Sequence, residues 1–124
     1  MTDKQQERIE SLTQLVIDAL EDLKAIDIRT INVQGKSPVT DKLIIATGKS
    51  TTHVRAIAEA VVFKAKHAGY QPLGTEGEKS LEWMLVDLND IVVHVMLQEI
   101  RDFYNLEKLW ETPAQSEEGD SAAL

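Results

Sequence analysis

Apolar positions recur every three to four residues over 5–24, where Ile9, Leu12, Val16, Ala19, Leu20 and Leu23 form a stripe. Glu7, Glu10, Asp18, Glu21 and Asp22 fall mostly off it. This spacing predicts an amphipathic helix with one face to bury, and Thr2 or Asp3 is its candidate N-cap. The period then changes. Residues 28–33 are short and β-branched, and Gln34-Gly35-Lys36-Ser37-Pro38 breaks them off. Residues 41–47 contain the unbroken apolar run Leu43-Ile44-Ile45-Ala46, as in a strand covered on both faces. Helical spacing returns over 52–68 through Val54, Ile57, Ala58, Val61, Ala65 and Ala68. Ser50 or Thr51 suits its N-cap and Gly69 its C-terminal turn. Residues 70–73 read as a short edge strand, and 74–79 as a loop with two glycines.

The stretch 81–110 organises the rest. It reads as two strands joined by Asn89-Asp90, then a helix over 99–110. Asn tolerates the positive φ that a two-residue hairpin turn requires. With that turn, Leu88 opposes Ile91, Val86 opposes Val93, and Met84 opposes Val95. Opposed residues share a face, so these six form an apolar surface for the helices. The other face carries Trp83, Leu85, Asp87, Val92, His94 and Met96. An aromatic among aliphatics and ionisable groups has the composition of a binding surface. The competing reading is that residues 99–110 fold back over it. A slip of one residue would exchange the two faces. Leu106, Leu109 and Trp110 pack as a last helical turn, while Arg101 and Tyr104 share another strip and extend the mixed face.

Together these elements predict one α/β domain over 1–111, with helices flanking a small mixed sheet. Residues 112–124 are small, polar and acidic without periodicity, and read as a disordered tail. The 124-residue length suits a single core. The polar start MTDKQQERIE is no secretory signal, and no apolar run is long enough to span a membrane. The absence of cysteine removes disulfides and thiolate chemistry, and a cytoplasmic location fits. A net charge of −8 disfavours non-specific nucleic-acid binding and suits either simple solubility or a basic protein partner.

Catalytic motifs fail one by one. Gly48-Lys49-Ser50 lies between a strand and a helix, but a phosphate-binding loop needs glycine where Leu43 stands. Gly35-Lys36-Ser37 has Thr30 in that place and Pro38 after it. His53, His67 and His94 lack metal-ligand spacing. Asp87 with His94 is the one pair close enough to hydrogen-bond on a shared sheet face. Neither a cofactor nor a metal site is expected.

Several runs resemble the ribosomal silencing factor, or Iojap-like, family. They are Val33-Gln34-Gly35-Lys36-Ser37, Thr40-Asp41, Thr47-Gly48 with Ser50 and His53, and Glu76-Gly77. The longest is WMLVDLNDIVVHVM, followed by Arg101, Tyr104 and LEKLW. The resemblance covers about residues 12–111. One departure is Asn89, where the family usually has glycine. The resemblance implies a fold similar to nucleotidyltransferases without their catalytic equipment. It further implies binding to the large ribosomal subunit through the fourteenth large-subunit ribosomal protein, on the subunit-joining face. There the factor blocks the small subunit sterically and represses translation when nutrients are short. A homodimer is implied for the free protein. The expected partner-binding residues are Trp83, Asp87, His94, Met96, Arg101 and Tyr104. The alternative is a divergent metal-dependent nucleotidyltransferase using Asp41, Asp87 or Asp90, and a third reading is a purely structural dimer module.

Overall fold

The fold follows from a sheet whose helix-covered face is buried across its three middle strands and whose other face is buried only in part. In the computed structural model, which describes residues 2–38 and 40–110, the order is α1 (Thr2–Asp22), β1 (Ile26–Asn32), β2 (Lys42–Gly48), α2 (Thr51–His67), β3 (Gly74–Glu76), β4 (Trp83–Asp87), β5 (Ile91–Leu97), α3 (Gln98–Tyr104) and α4 (Leu106–Trp110). Among the described residues the strands form one five-stranded sheet in the order β1-β2-β5-β4-β3. Only the central β2–β5 pair is parallel. This is the small mixed sheet flanked by helices that the sequence predicts. The tail over 112–124 and the capping side chains of Thr2 and Asp3 lie outside the described residues.

α1 and α2 lie together on one face. Their stripes supply Ile9, Leu12, Val16, Ala19, Leu20, Val54, Ile57, Ala58, Val61 and Ala65, which bury against Ile44, Ala46, Met84, Val86, Val93 and Val95. Leu88 and Ile91 extend the same core to the hairpin end. All six residues expected on the helix-facing side of the hairpin are therefore in the core. The middle strands β2 and β5 are buried along nearly their whole length, as the apolar run in β2 requires.

The register of the hairpin is the expected one: Met84 pairs with Val95, Leu85 with His94, Val86 with Val93 and Asp87 with Val92. Asn89 sits at φ +75°, and its N–H donates to Asp87 Oδ1 at 2.9 Å. The turn is also held from outside. The Asp90 carbonyl accepts from the N–H groups of Asp41 and Lys42, and the Asp90 carboxylate meets Arg8 Nε at 3.4 Å.

Two elements depart from expectation. The edge strand is Gly74–Glu76, not 70–73: Thr75 pairs with Val86 and Glu76 with Leu85. In its short, glycine-led sequence only Thr75 favours a strand, so the pairing comes chiefly from the neighbouring β4. The final helix over 99–110 is two helices. Asn105 takes the left-handed conformation, φ 48° and ψ 55°, and closes α3 by donating its N–H to the Arg101 carbonyl.

Candidate docking face beside the hairpin

The sheet face turned away from α1 and α2 is built by alternation along each strand. β2 contributes Leu43, Ile45 and Thr47, which pair in register with Val92, His94 and Met96 of β5. β4 contributes Trp83, Leu85 and Asp87. Trp83, Asp87 and His94 thus share one face, and Met96 lies opposite Trp83.

Trp83 is the partly exposed centre of this face. Its backbone is fixed by Gly77, at φ +96°, where a Cβ would run into the Trp83 carbonyl. The Trp83 indole N–H donates to His94 Nδ1 at 3.0 Å. An indole nitrogen only donates, so His94 carries its proton on Nε2. Burial pushes the His94 imidazole down to about 4, because desolvation penalises the charged ring. The bond from Trp83 acts in the same sense, since Nδ1 must stay unprotonated to accept it. His94 therefore pairs with Trp83, and the Asp87 carboxylate serves the turn instead.

α3 presents further aromatics. The Tyr104 ring lies 5.0 Å from Trp83, and Phe103 meets Tyr104 edge-on at 4.9 Å. Phe103 is 78% exposed and Tyr104 55%, leaving a contiguous aromatic surface open to solvent. Phe103 is absent from the sequence-derived candidates; adjacent aromatics on a short polar helix were the available signal.

Three expected contact residues are buried: His94, Met96 and Arg101. Met96 is fully buried. Arg101 is 3% exposed, with Nη1 donating to Thr47 Oγ1 at 2.8 Å and Nη2 and Nε donating to the Glu107 carboxylate at 2.9 and 3.2 Å. It does not share an exposed strip with Tyr104. The break at Asn105 brings Glu107 back to pair with it, and the guanidinium holds the Glu107 carboxyl below the usual carboxylate range. Arg101 thereby ties α3 and α4 to the sheet.

α4 covers part of the same face. Trp110 packs with Ile31 and Leu85 on a small cluster of Val33, Leu43 and Val92. Beside it lies a groove of about 290 Å³ bounded by Leu85, Asp87, His94, Leu106 and Trp110. The last helices thus cover only part of the face: the end nearest Trp110 is roofed, and the Trp83–Tyr104–Phe103 end is open.

Elsewhere, a larger open cavity of about 560 Å³ lies at the C-terminal ends of β2 and β5, lined by Thr47, Lys49, Gln98 and Asp102 among others. The neighbouring α2 N-terminus is capped internally: Ser50 Oγ accepts from the His53 N–H at 3.1 Å, and His53 Nδ1 accepts from the Lys49 N–H at 2.9 Å. Among the described residues no group of three or more His, Asp or Glu is placed to hold a metal ion. No helix among them is long and apolar enough to cross a membrane.

The model of the family described as "Ribosomal silencing factor during starvation" matches residues 5–123. The chain belongs to the ribosomal silencing factor family. It is 44% identical over 102 residues to a ribosomal silencing factor of Chromobacterium violaceum, covering 82% of this chain and 84% of that protein. The crystal structure of a Chromobacterium violaceum protein superposes with a TM-score of 0.81 at 43% identity, covering 85% of this chain and 89% of that one. A more distant relative, the mouse "Mitochondrial assembly of ribosomal large subunit protein 1", is 34% identical over 99 residues, 77% of this chain and 43% of that protein. The family is named for silencing ribosomes under starvation, a role in translation regulation, and not for a reaction.

Proposed function

We propose that this protein binds the large ribosomal subunit through a ribosomal protein on the subunit-joining face, the fourteenth of the large-subunit series, and sterically blocks the small subunit. The observation that carries this reading is the open aromatic face of Trp83, Tyr104 and Phe103 beside the hairpin. An exposed aromatic cluster with a polar rim is the usual anatomy of a binding hot spot. Asp87 supplies a polar neighbour, while His94, Met96 and Arg101 support the face from within. The large subunit in the mouse relative's name agrees with the partner, and the net charge of −8 suits a basic protein surface. Steric exclusion needs bulk and a docking patch, and no chemistry. The homodimer of the free protein belongs to the same reading; light scattering should then give twice the 13.9 kDa chain mass.

The test is Trp83→Ala, checked for folding, in gradient co-sedimentation with isolated large subunits and in a subunit-joining assay. Losing a central aromatic anchor should cost about 2 kcal/mol or more, roughly thirtyfold in affinity, with joining restored in parallel. A variant that blocks joining as well as wild type would move the docking patch elsewhere.

A further inference from the structure

α3 is fastened to the sheet chiefly by polar contacts, not by an apolar stripe. The helix carries both exposed aromatics of the face, Phe103 and Tyr104, yet its one buried residue is charged, Arg101. Ile100 is half-buried and the other five residues are exposed. A helix of seven residues has little stability of its own, so its pose depends on what fastens it.

The fastening centres on Thr47 of β2, which is buried. A hydroxyl has one hydrogen to give and two lone pairs to accept with. Thr47 Oγ1 accepts from Arg101 Nη1 at 2.8 Å and donates, over a longer 3.5 Å, to Gln98 Oε1. Gln98 and Arg101 stand three residues apart, so they reach Thr47 from one side of the helix. The rest of the guanidinium is engaged as well. Glu107 accepts from Nε and Nη2, and the Asp27 carboxylate lies 3.8 Å from Nη2. Asp27 sits at φ +53° where the β1–β2 register shifts, and such bulges re-aim a side chain. β1, β2 and α4 thus converge on a single residue of α3.

An apolar side chain of similar volume would bury there without desolvating a charge, and such replacements are often neutral or stabilising. What the guanidinium adds is direction, because its donors form a rigid planar fork. Tyr104 follows Arg101 by three residues, so the two are neighbours on the helix, and its ring reaches Trp83 at 5.0 Å. Turning α3 about its axis would take Tyr104 off Trp83 and re-aim Phe103, which meets Tyr104 edge-on. We propose that Thr47 and Arg101 are positioning residues for docking: bonded to each other beneath α3, they hold the helix in the pose that lays Tyr104 against Trp83 and turns Phe103 toward the partner, and neither touches the partner. The proposal rests on the docking reading above. It moves Arg101 from the contact surface to the support beneath it, and it brings Thr47 into the site.

The experiment is a mutant cycle read as affinity for isolated large subunits, with every variant checked for folding. Thr47→Val keeps the shape and removes the hydroxyl, whereas Thr47→Ser keeps the hydroxyl. Thr47→Val should weaken binding about tenfold, and Thr47→Ser should stay within about twofold of wild type. On a background of Phe103→Ala with Tyr104→Ala, adding Thr47→Val should change affinity by less than about twofold, because α3 then has no aromatic left to position. In the free protein, NOEs between the Trp83 and Tyr104 rings should weaken in Thr47→Val and persist in Thr47→Ser. Arg101→Lys, which keeps the charge without the fork, runs the same cycle if Thr47→Val does not fold. Unchanged binding by Thr47→Val would overturn the proposal. So would equal weakening with and without the two aromatics, since the effect would then not pass through α3. If wild type does not bind, or if Phe103→Ala with Tyr104→Ala binds as tightly as wild type, the docking reading itself fails and the proposal falls with it.

Discussion

His94 and Trp83 are a matched pair, one giving the hydrogen that the other has no means to return. Protonating His94 would aim an N–H at the indole N–H and charge a buried ring. The folded state thus resists a proton that the unfolded chain accepts near the ordinary histidine value of 6.5, holding it off down to about 4. Folding stability should be level above pH 6.5, fall as the pH drops toward 4, and change no further below that on account of this group. The loss is on the order of 3 kcal/mol, from the 1.36 kcal/mol per pKa unit of linkage. Urea titrations of wild type and His94→Gln across this range measure it. Equal pH dependence in the two proteins would remove His94 from the account. Residue periodicity made the placement of Trp83 and His94 legible, since alternation fixes a face once the turn is known. Their mutual bond was not legible, because it depends on a tilt of 52° between rings on neighbouring strands.

At the scale of elements, two small devices hold the aromatic face in place. The first is the loop at Gly77, whose φ of +96° and contact with the Trp83 carbonyl leave no space for a side chain. Gly77→Ala should cost more than about 1 kcal/mol, the usual limit for substitutions that the backbone accepts. A chemical melt together with near-ultraviolet circular dichroism of Trp83 would show both the loss and its location; unchanged spectra and stability would mean that the loop adjusts freely. The second device is Arg101, buried between Thr47 and Glu107. Arg101→Ala leaves Glu107 only the longer contact to Arg29 and Thr47 only a long bond to Gln98, and breaking such a buried pair costs about 3 kcal/mol or more. A loss under about 1 kcal/mol, the worth of an exposed ion pair, would place the guanidinium in water instead. The stripes of α1 and α2, the core run of β2 and the hairpin were all readable as periodicity. β3 was not, because three residues borrow their conformation from β4. Nor was the break between α3 and α4, because Asn105 looks like an ordinary helix residue until Glu107 is seen returning to Arg101.

At the scale of the whole molecule, charge and topology decide how the face is used. A chain at −8 meeting a basic protein surface should associate faster at low ionic strength, because steering acts over a Debye length of about 8 Å at physiological salt. Raising salt should slow association with large subunits and leave dissociation nearly unchanged, which surface plasmon resonance can separate; an association rate indifferent to salt would argue against a basic partner surface. The sheet order carries a different consequence. Its two central strands, β2 and β5, come from distant parts of the chain, and among the described residues β5 is the last strand in sequence. Parallel pairings between remote segments form late, since the intervening loop must close first. A nascent chain that has exposed only α1 through β4 has no centre to its sheet, and therefore nowhere to mount Trp83 against His94. On the proposed reading, competence to dock arrives only with β5, so a half-made copy has no such face to turn on the ribosome that is translating it.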